Sequence, residues 1–333
     1  MRFEHLHASH CESGVMAALL RHHGMPLSEP MAFGLASAIA FAYLPFVRLN
    51  GLPLIAYRMP PGAVVRDLDR GLDLGMRFET FRSPAAGMAR LDALLDEGKA
   101  VGLQTSIYWL PYIPPDLRFH FNAHNLIVYG REGDEYLVSD PVAETPVRCA
   151  RRDLEKARFA KGALAPKGRL YYATRSPAPG DWRRLGRHAL ARSARVMLHT
   201  PLPLVGVRGI GWLARAVERL GLDDGGRAAS LYIGHIVRMQ EEIGTGGAGF
   251  RFIYAAFLQQ LAASTGYGAL DALAARLVEI GDEWQQFAFA AAKMIKRRIA
   301  LEPLALAARL RAVATKEKQF FQDLNEARLA WKS

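Results

Sequence analysis

Apolar residues recur at helical spacing from Val15 to Leu20 in CESGVMAALLRHHG, and the run closes at Gly24. This pattern predicts a helix with Cys11 at or next to its N-terminus. The following stretch, SEPMAFGLASAIAFAYL at 28–44, opens on Ser28, Glu29 and Pro30 and stops before Pro45, which predicts a second and more apolar helix. Short apolar segments alternate with turn signals from Leu54 to Phe81, and AGMARLDALLDEG at 86–98 has the spacing of an amphipathic helix ending at Gly98. The period then changes. AVGLQTSIYWL at 100–110, HNLIVYG at 124–130 and EYLVSDP at 135–141 read as strands, with REGD as a hairpin turn between the last two. A further strand, RLYYATR at 169–175, closes this part of the chain, and SPAPGD at 176–181 has the composition of a linker.

Beyond the linker nearly every segment has amphipathic helical spacing with short connections, the pattern of a helical bundle. The expected organisation is an α+β domain over 1–176 with a mainly antiparallel sheet, followed by an all-α domain over 181–333. There is no internal repeat at a fixed period.

Composition agrees with two cores: 333 residues are long for one domain, half are hydrophobic and under a quarter are charged. Two cysteines cannot make a disulfide framework, and MRFEHLHASH lacks the charged-then-apolar pattern of a secretory signal, so a cytoplasmic protein with reduced thiols is expected. The longest uncharged run, MAFGLASAIAFAYLPFV at 31–47, is short for a membrane span and carries Gly and Pro. The net charge of +11 divides unevenly, with 13 basic against 16 acidic residues in 1–150 and 30 against 16 in 151–333. A basic rear half would attract an anionic membrane surface or an acidic protein. No nucleic-acid reading motif appears, so nucleic acid is not expected as a partner. A solvated basic face without a partner is the plain alternative.

A cysteine at a helix N-terminus has its thiolate stabilised by the helix dipole and free amides. It then needs a histidine as proton partner and a carboxylate to orient that histidine. His124, opening the strand HNLIVYG, and Asp140, closing the next strand in SDP, are the candidates, because adjacent antiparallel strands bring such positions side by side. The plain alternatives are a small residue at a helix start, a satisfied histidine in a strand and an ordinary Asp-Pro turn. The N-terminal HLHASHC also holds metal-ligand types in His5, His7, His10 and Cys11, but no distant second pair follows, and a metal site is not expected.

The front part resembles the butirosin biosynthesis protein H N-terminal family, relatives of the cysteine peptidases that trim bacteriocin leader peptides. The residues carrying the likeness are HCESGVMAALLRHHGMPLSE at 10–29, WLPY at 109–112, HNLIVYG at 124–130 and LVSDP at 137–141. The resemblance implies a papain-like fold with Cys11 as nucleophile, His124 as base and Asp140 as its orienting partner. It also implies an oxyanion donor at His5, where the peptidases carry glutamine. The implied reaction is acyl transfer, in natural-product or lipid-like metabolite biosynthesis, from the phosphopantetheine thioester of an acyl carrier protein to an amine. No permanently bound cofactor is implied. A hydrolase using the same three residues and a non-catalytic acyl- or peptide-binding scaffold are the alternatives.

In the rear part, EEIGTGGAGFR at 241–251 resembles a signature of the helical domain that often follows this family. Gly246, Gly247 and Arg251 are candidates for binding the carrier's phosphate; a tight turn with a Glu242–Arg251 ion pair is the structural alternative. Tyr108, Trp109 and Tyr112, with the apolar helix at 31–44, are candidates for lining an acyl channel. The basic rear half, including Arg183, Arg184 and Arg187, suits docking of an acidic acyl carrier protein. A small amine acceptor and peripheral contact with a membrane complete the expected partners.

Overall fold

The computed structural model describes residues 2–49, 51–177 and 180–331. Ala178 and Pro179, inside the linker expected at 176–181, lie outside the described residues. The chain divides into two compact units, Met1–Ala32 with Pro61–Gly180, and Phe33–Pro60 with Asp181–Ser333.

The first unit is α+β. Its six strands are β3 (Arg77–Glu79), β4 (Val101–Thr105), β5 (His124–Glu132), β6 (Glu135–Ser139), β7 (Val147–Ala150) and β8 (Leu170–Tyr172). They form one sheet in the order β3-β8-β4-β5-β6-β7, and every pairing is antiparallel. One face carries Leu103, Leu126, Val128 and Val138, which pack with Met88, Leu91 and Leu94 of α4 (Pro84–Asp96) and Leu154 of α5 (Arg151–Arg158). Helix α1 (Cys11–His22) packs against β5 and against α3 (Ala63–Leu72). The hairpin expected at REGD is present, with Glu132 paired to Glu135 across a two-residue Gly133–Asp134 turn. Helices α3 and α5 and the short strand β7 are additional to the sequence reading. At ten, eight and four residues they are shorter than the roughly 11–18-residue window over which periodicity is read.

The apolar helix expected at 28–44 is corrected by the structure. Helix α2 spans only Glu29–Leu35, and β1 (Ile39–Leu49) follows, paired antiparallel with β2 (Leu52–Arg58). Ser37 between them has a left-handed backbone, φ 53°, which ends the helix. A run of small and apolar residues is ambiguous between helix and buried strand, and here the aromatic and β-branched half went to the strand.

This hairpin belongs to the second unit, so that unit is mainly helical but not all-α, and the front unit is not contiguous over 1–176. The helices are α6 (Trp182–His199), α7 (Val207–Glu218), α8 (Arg227–Glu241), α9 (Arg251–Thr265), α10 (Ala269–Ile295) and α11 (Pro303–Ala330). Phe41 of β1, Tyr57 of β2 and Trp284 of α10 meet as an aromatic cluster with ring centroids 5.2–6.1 Å apart. Beside it Arg251 and Glu317, both without exposed side-chain surface, make a two-pronged ion pair at 2.7 and 2.9 Å. The Trp284 indole N–H donates to the same carboxylate at 2.7 Å, and the guanidinium lies over the Tyr57 and Trp284 rings.

Redistributing the hairpin and residues 151–180 changes the charge picture. The first unit holds 19 basic and 18 acidic residues, and the second 24 and 14. The front is therefore near neutral, and the rear excess is +10 rather than +14.

A buried pair is most costly to break on one side only, because the remaining charge has no solvent and no partner. Glu317→Ala is expected to destabilise the protein by about 3–5 kcal/mol, read as a lowered midpoint in urea unfolding of the second unit. An unchanged midpoint would mean that the guanidinium finds water.

Candidate active site

The start of α1 is built by carboxylates. Glu29 accepts from the backbone N–H of Ser9 at 3.0 Å and of His10 at 2.7 Å, and from the Ser13 hydroxyl at 3.3 Å. Burial raises the Glu29 carboxyl above its usual range, and the two amides oppose that shift. His10 is the N-cap, its Nδ1 accepting from Ser13 N–H at 3.3 Å. Cys11 thus occupies the first helical position, where an N–H has no acceptor within the helix. On the same turn the fully buried Glu12 accepts from Val64 N–H (3.0 Å) and Val65 N–H (3.4 Å) and so caps α3.

The segment before α1 is pinned to the segment after β6. Ala8 N–H donates to the Pro141 carbonyl at 2.7 Å. The His5 ring bonds at both nitrogens: Nε2 donates to the Ala143 carbonyl at 3.0 Å, which leaves Nδ1 to accept from the Ser139 hydroxyl at 2.8 Å in the neutral ring. Gly14 permits this closeness, since a Cβ there would lie 2.6 Å from Ala8 Cβ and 2.7 Å from Pro141 Cβ. Cys11 is thereby held next to the residues flanking Asp140.

His124 Nε2 and Asp140 Oδ2 are 2.7 Å apart, with side-chain exposures of 3% and 0%. Asp140 is satisfied elsewhere too: Oδ1 accepts from Val142 N–H at 3.2 Å and Oδ2 from the Tyr112 hydroxyl at 2.8 Å. Burial alone would lower the His124 pKa; the Asp140 charge and hydrogen bond, joined by the contact with the Cys11 sulfur, outweigh it and push the imidazole up to about 10. With Nε2 committed to Asp140, Nδ1 is the nitrogen left for the sulfur. Cys11, His124 and Asp140, picked out from the sequence, therefore meet in space.

Asn125 is a site residue that the sequence reading missed. Its Nδ2 donates to the Ala123 carbonyl at 3.1 Å and lies 4.0 Å from Cys11 Sγ, while Oδ1 accepts from the Tyr171 hydroxyl at 3.0 Å. A carbonyl can only accept, so the amide orientation is settled and its N–H side faces the sulfur. Burial, followed by the nearby Glu12 and Cys11, raises the Tyr171 phenol well above its ordinary value, and it stays a donor. Nothing in HNLIVYG marks this asparagine, because one of its partners, Tyr171, lies 46 residues away in sequence.

Other expectations change. Both His5 nitrogens are occupied within the protein, by Ser139 and Ala143, so neither is free to donate to an oxyanion, against the role implied by the resemblance. Tyr112 donates a hydrogen bond from its hydroxyl to Asp140. Tyr108 and Trp109 are exposed, at 38% and 40%, on a single 3₁₀ turn; Tyr108 stacks on His120 at 4.0 Å, and the Lys156 ammonium lies over Trp109. The glycine loop does not fit an anion site. Arg251 is taken by Glu317 and the Gly249 carbonyl, Gly247 N–H bonds Thr245 Oγ1, and Ala248 N–H bonds the Glu241 carboxylate. Arg251 pairs with Glu317, not with Glu242. The glycines serve packing: the Tyr57 ring occupies the place of a Gly249 Cβ, and that residue has φ 57°. Among the described residues no three His, Cys, Asp or Glu side chains gather as a group able to hold a metal ion, and no helix is long and apolar enough to cross a membrane.

Comparison with known proteins gives two family matches. The family described as "Domain of unknown function (DUF4872)" matches residues 152–324, just over half of the chain, and "Butirosin biosynthesis protein H, N-terminal" matches residues 10–141. No curated protein matches. Among solved structures, a crystal structure described as a C39-like peptidase from Bacillus anthracis is 15% identical, with a TM-score of 0.38, covering 53% of this chain and 96% of that one.

The pKa of His124 is set by opposing causes, so removing one of them has a definite sign. In an NMR titration of the histidine ring nitrogens, the His124 ring is expected to stay protonated through neutral pH and to lose its proton near 10. In Asp140→Asn the raising charge is gone while burial remains, so the midpoint falls by several units, toward or below the ordinary 6.5. A midpoint that stays put would remove Asp140 from this role.

Proposed function

Because the chain belongs to the DUF4872 family and carries in front of that domain a butirosin biosynthesis protein H N-terminal domain, we propose that it is a cysteine acyltransferase. It would move an acyl group from a carrier-bound thioester to an amine in natural-product or lipid-like metabolite biosynthesis. The observation that carries this reading is the buried His124–Asp140 bond with Cys11 against the same imidazole.

At neutral pH the imidazolium of His124 faces the Cys11 sulfur and favours the thiolate. The thiolate attacks the thioester carbonyl and forms a carbon–sulfur bond. The developing oxyanion meets the Cys11 backbone N–H at the helix N-terminus and the N–H of the Asn125 amide. Collapse breaks the bond to the carrier thiolate, which takes the proton from His124 and leaves. The neutral His124 then accepts the proton that the amine loses as it attacks acyl-Cys11, an amide forms, and the thiolate–imidazolium pair is restored. Asp140 holds the ring throughout, and Tyr112 and Val142 hold Asp140.

The donor is an acyl carrier protein, whose acidic surface complements the +10 second unit. Arg183 and Arg184 are exposed on the first turn of α6, with Arg187 one turn on. Steering by such charges shows in the rate and is screened by salt. Acylation by a carrier thioester is expected to slow severalfold between low and physiological ionic strength, and by a similar factor in the Arg183→Glu/Arg184→Glu/Arg187→Glu variant. Indifference to both would remove this docking surface.

Intact-protein mass spectrometry after incubation with a panel of acyl-carrier thioesters tests the chemistry. The acyl mass is expected on the wild-type chain and absent from Cys11→Ala; His124→Ala is expected to slow its appearance by about 10²–10⁴-fold. Discharge by added amines, faster than by water, marks the transferase. Discharge by water alone would make the protein a hydrolase, and no adduct with any donor would make it a scaffold.

A further inference from the structure

The loop after α5 forms one wall of an open cleft of about 640 Å³ in the first unit. The cleft is lined by Arg82, Lys161 and Lys167, the rings of Phe81 and Phe159, and the backbone of Gly162, and no carboxylate is among its lining residues. The three cations are exposed. The loop itself is conformationally forced: Leu164 (φ 56°) and Lys167 (φ 53°) take left-handed backbone without being glycine.

What holds the loop in this shape is a pair of buried amides. Asn122 Nδ2 donates to the carbonyls of Lys161 (3.2 Å) and Ala163 (2.8 Å), and Gln104 Nε2 donates to that of Leu164 (3.1 Å). In a trans peptide the carbonyl of one residue and the N–H of the next point in opposite directions. Turning the Lys161 carbonyl toward Asn122 therefore turns the Gly162 N–H away from it, outward, and Gly162 lines the cleft. Cations, an outward amide and apolar rings without a competing carboxylate make a recess for an anion with an apolar neighbour. The same Asn122 lies two residues before His124, and Gln104 pairs with Asn125 across the strands, so the wall of the cleft is tied to the strand that carries the proposed base.

We propose that this cleft binds a phosphate group, and, resting on the acyltransferase reading, that it holds the phosphate of a phosphopantetheine thioester donor. Two sources carry that phosphate, a carrier protein and a free coenzyme A thioester.

The test uses the full chain and has two arms. In the first, inorganic phosphate is titrated while the Gly162 amide is followed by NMR. A saturable shift is expected in the wild type, weakened about tenfold or more in Lys161→Glu/Lys167→Glu as two attractive charges become repulsive. In the second, acylation of Cys11 is measured with a carrier thioester, a coenzyme A thioester and a pantetheine thioester lacking phosphate. The double variant is expected to raise KM about tenfold for phosphate-bearing donors at nearly constant kcat, and to leave the phosphate-free donor unaffected. A response to only one phosphate-bearing donor identifies the source. No shift with phosphate, a shift that the variant does not weaken, or equal loss with all three donors overturns the proposal. If no donor acylates Cys11, the acyltransferase reading falls, and the phosphate titration still decides the cleft by itself.

Discussion

A carboxylate with no exposed surface has to have its charge answered from within the protein, and Asp140 is such a group. Its desolvation would cost several kcal/mol if left unpaired, so the surrounding chain is arranged to supply donors. The turn after β6 provides Val142 N–H, the loop between β4 and β5 provides the Tyr112 hydroxyl, and β5 provides His124. The demand also sets the charge state of the site. A buried imidazole would ordinarily be neutral; beside an anion that cannot be hydrated it is held protonated instead, up to about pH 10. The Cys11 sulfur lies against that ring, so the charge it meets follows from how the carboxylate was buried.

That arrangement gives a physical reading of the histidine-rich N-terminal segment. His5 clamps the strap to Ser139 and Ala143, and His10 caps the helix that begins with Cys11. Neither is the ring that bonds Asp140, which is His124. With Glu29 gathering the amides of Ser9 and His10, they form the frame that brings a residue near one end of the chain against a hairpin more than a hundred residues on.

The three central residues were legible in the sequence because each sits at an element end that local signals mark: a helix start, a strand start, and an Asp-Pro strand end. What was not legible depends on partners distant in sequence. Asn125 is held by Tyr171 as well as by Ala123, and both His5 nitrogens are occupied by Ser139 and Ala143. The glycine loop has the composition of an anion nest, yet its amides are answered by Thr245 and Glu241, and its arginine by Glu317. The hairpin at 39–58 was misread for a related reason: an apolar run records burial but not the surface it is buried against, and here that surface is the second unit's aromatic cluster around Trp284.

Charge shows the same limit from another side. Cut at residue 150, the front of the chain appears acidic; divided by compactness, the first unit carries 19 cations against 18 anions, because residues 151–180 return to it. Many of these are neutralised in place: Arg151 bonds Asp92, and Arg90 bonds Glu79. Arg82, Lys161 and Lys167 instead line a cleft with no carboxylate among its lining residues. A near-zero sum can therefore conceal a strongly positive recess, since an incoming anion responds to the charges within about a Debye length, roughly 8 Å at physiological salt, and not to the total. On this argument the +10 of the second unit would bear on how fast a large acidic partner arrives, and the three cations of the first would bear on where a phosphate comes to rest.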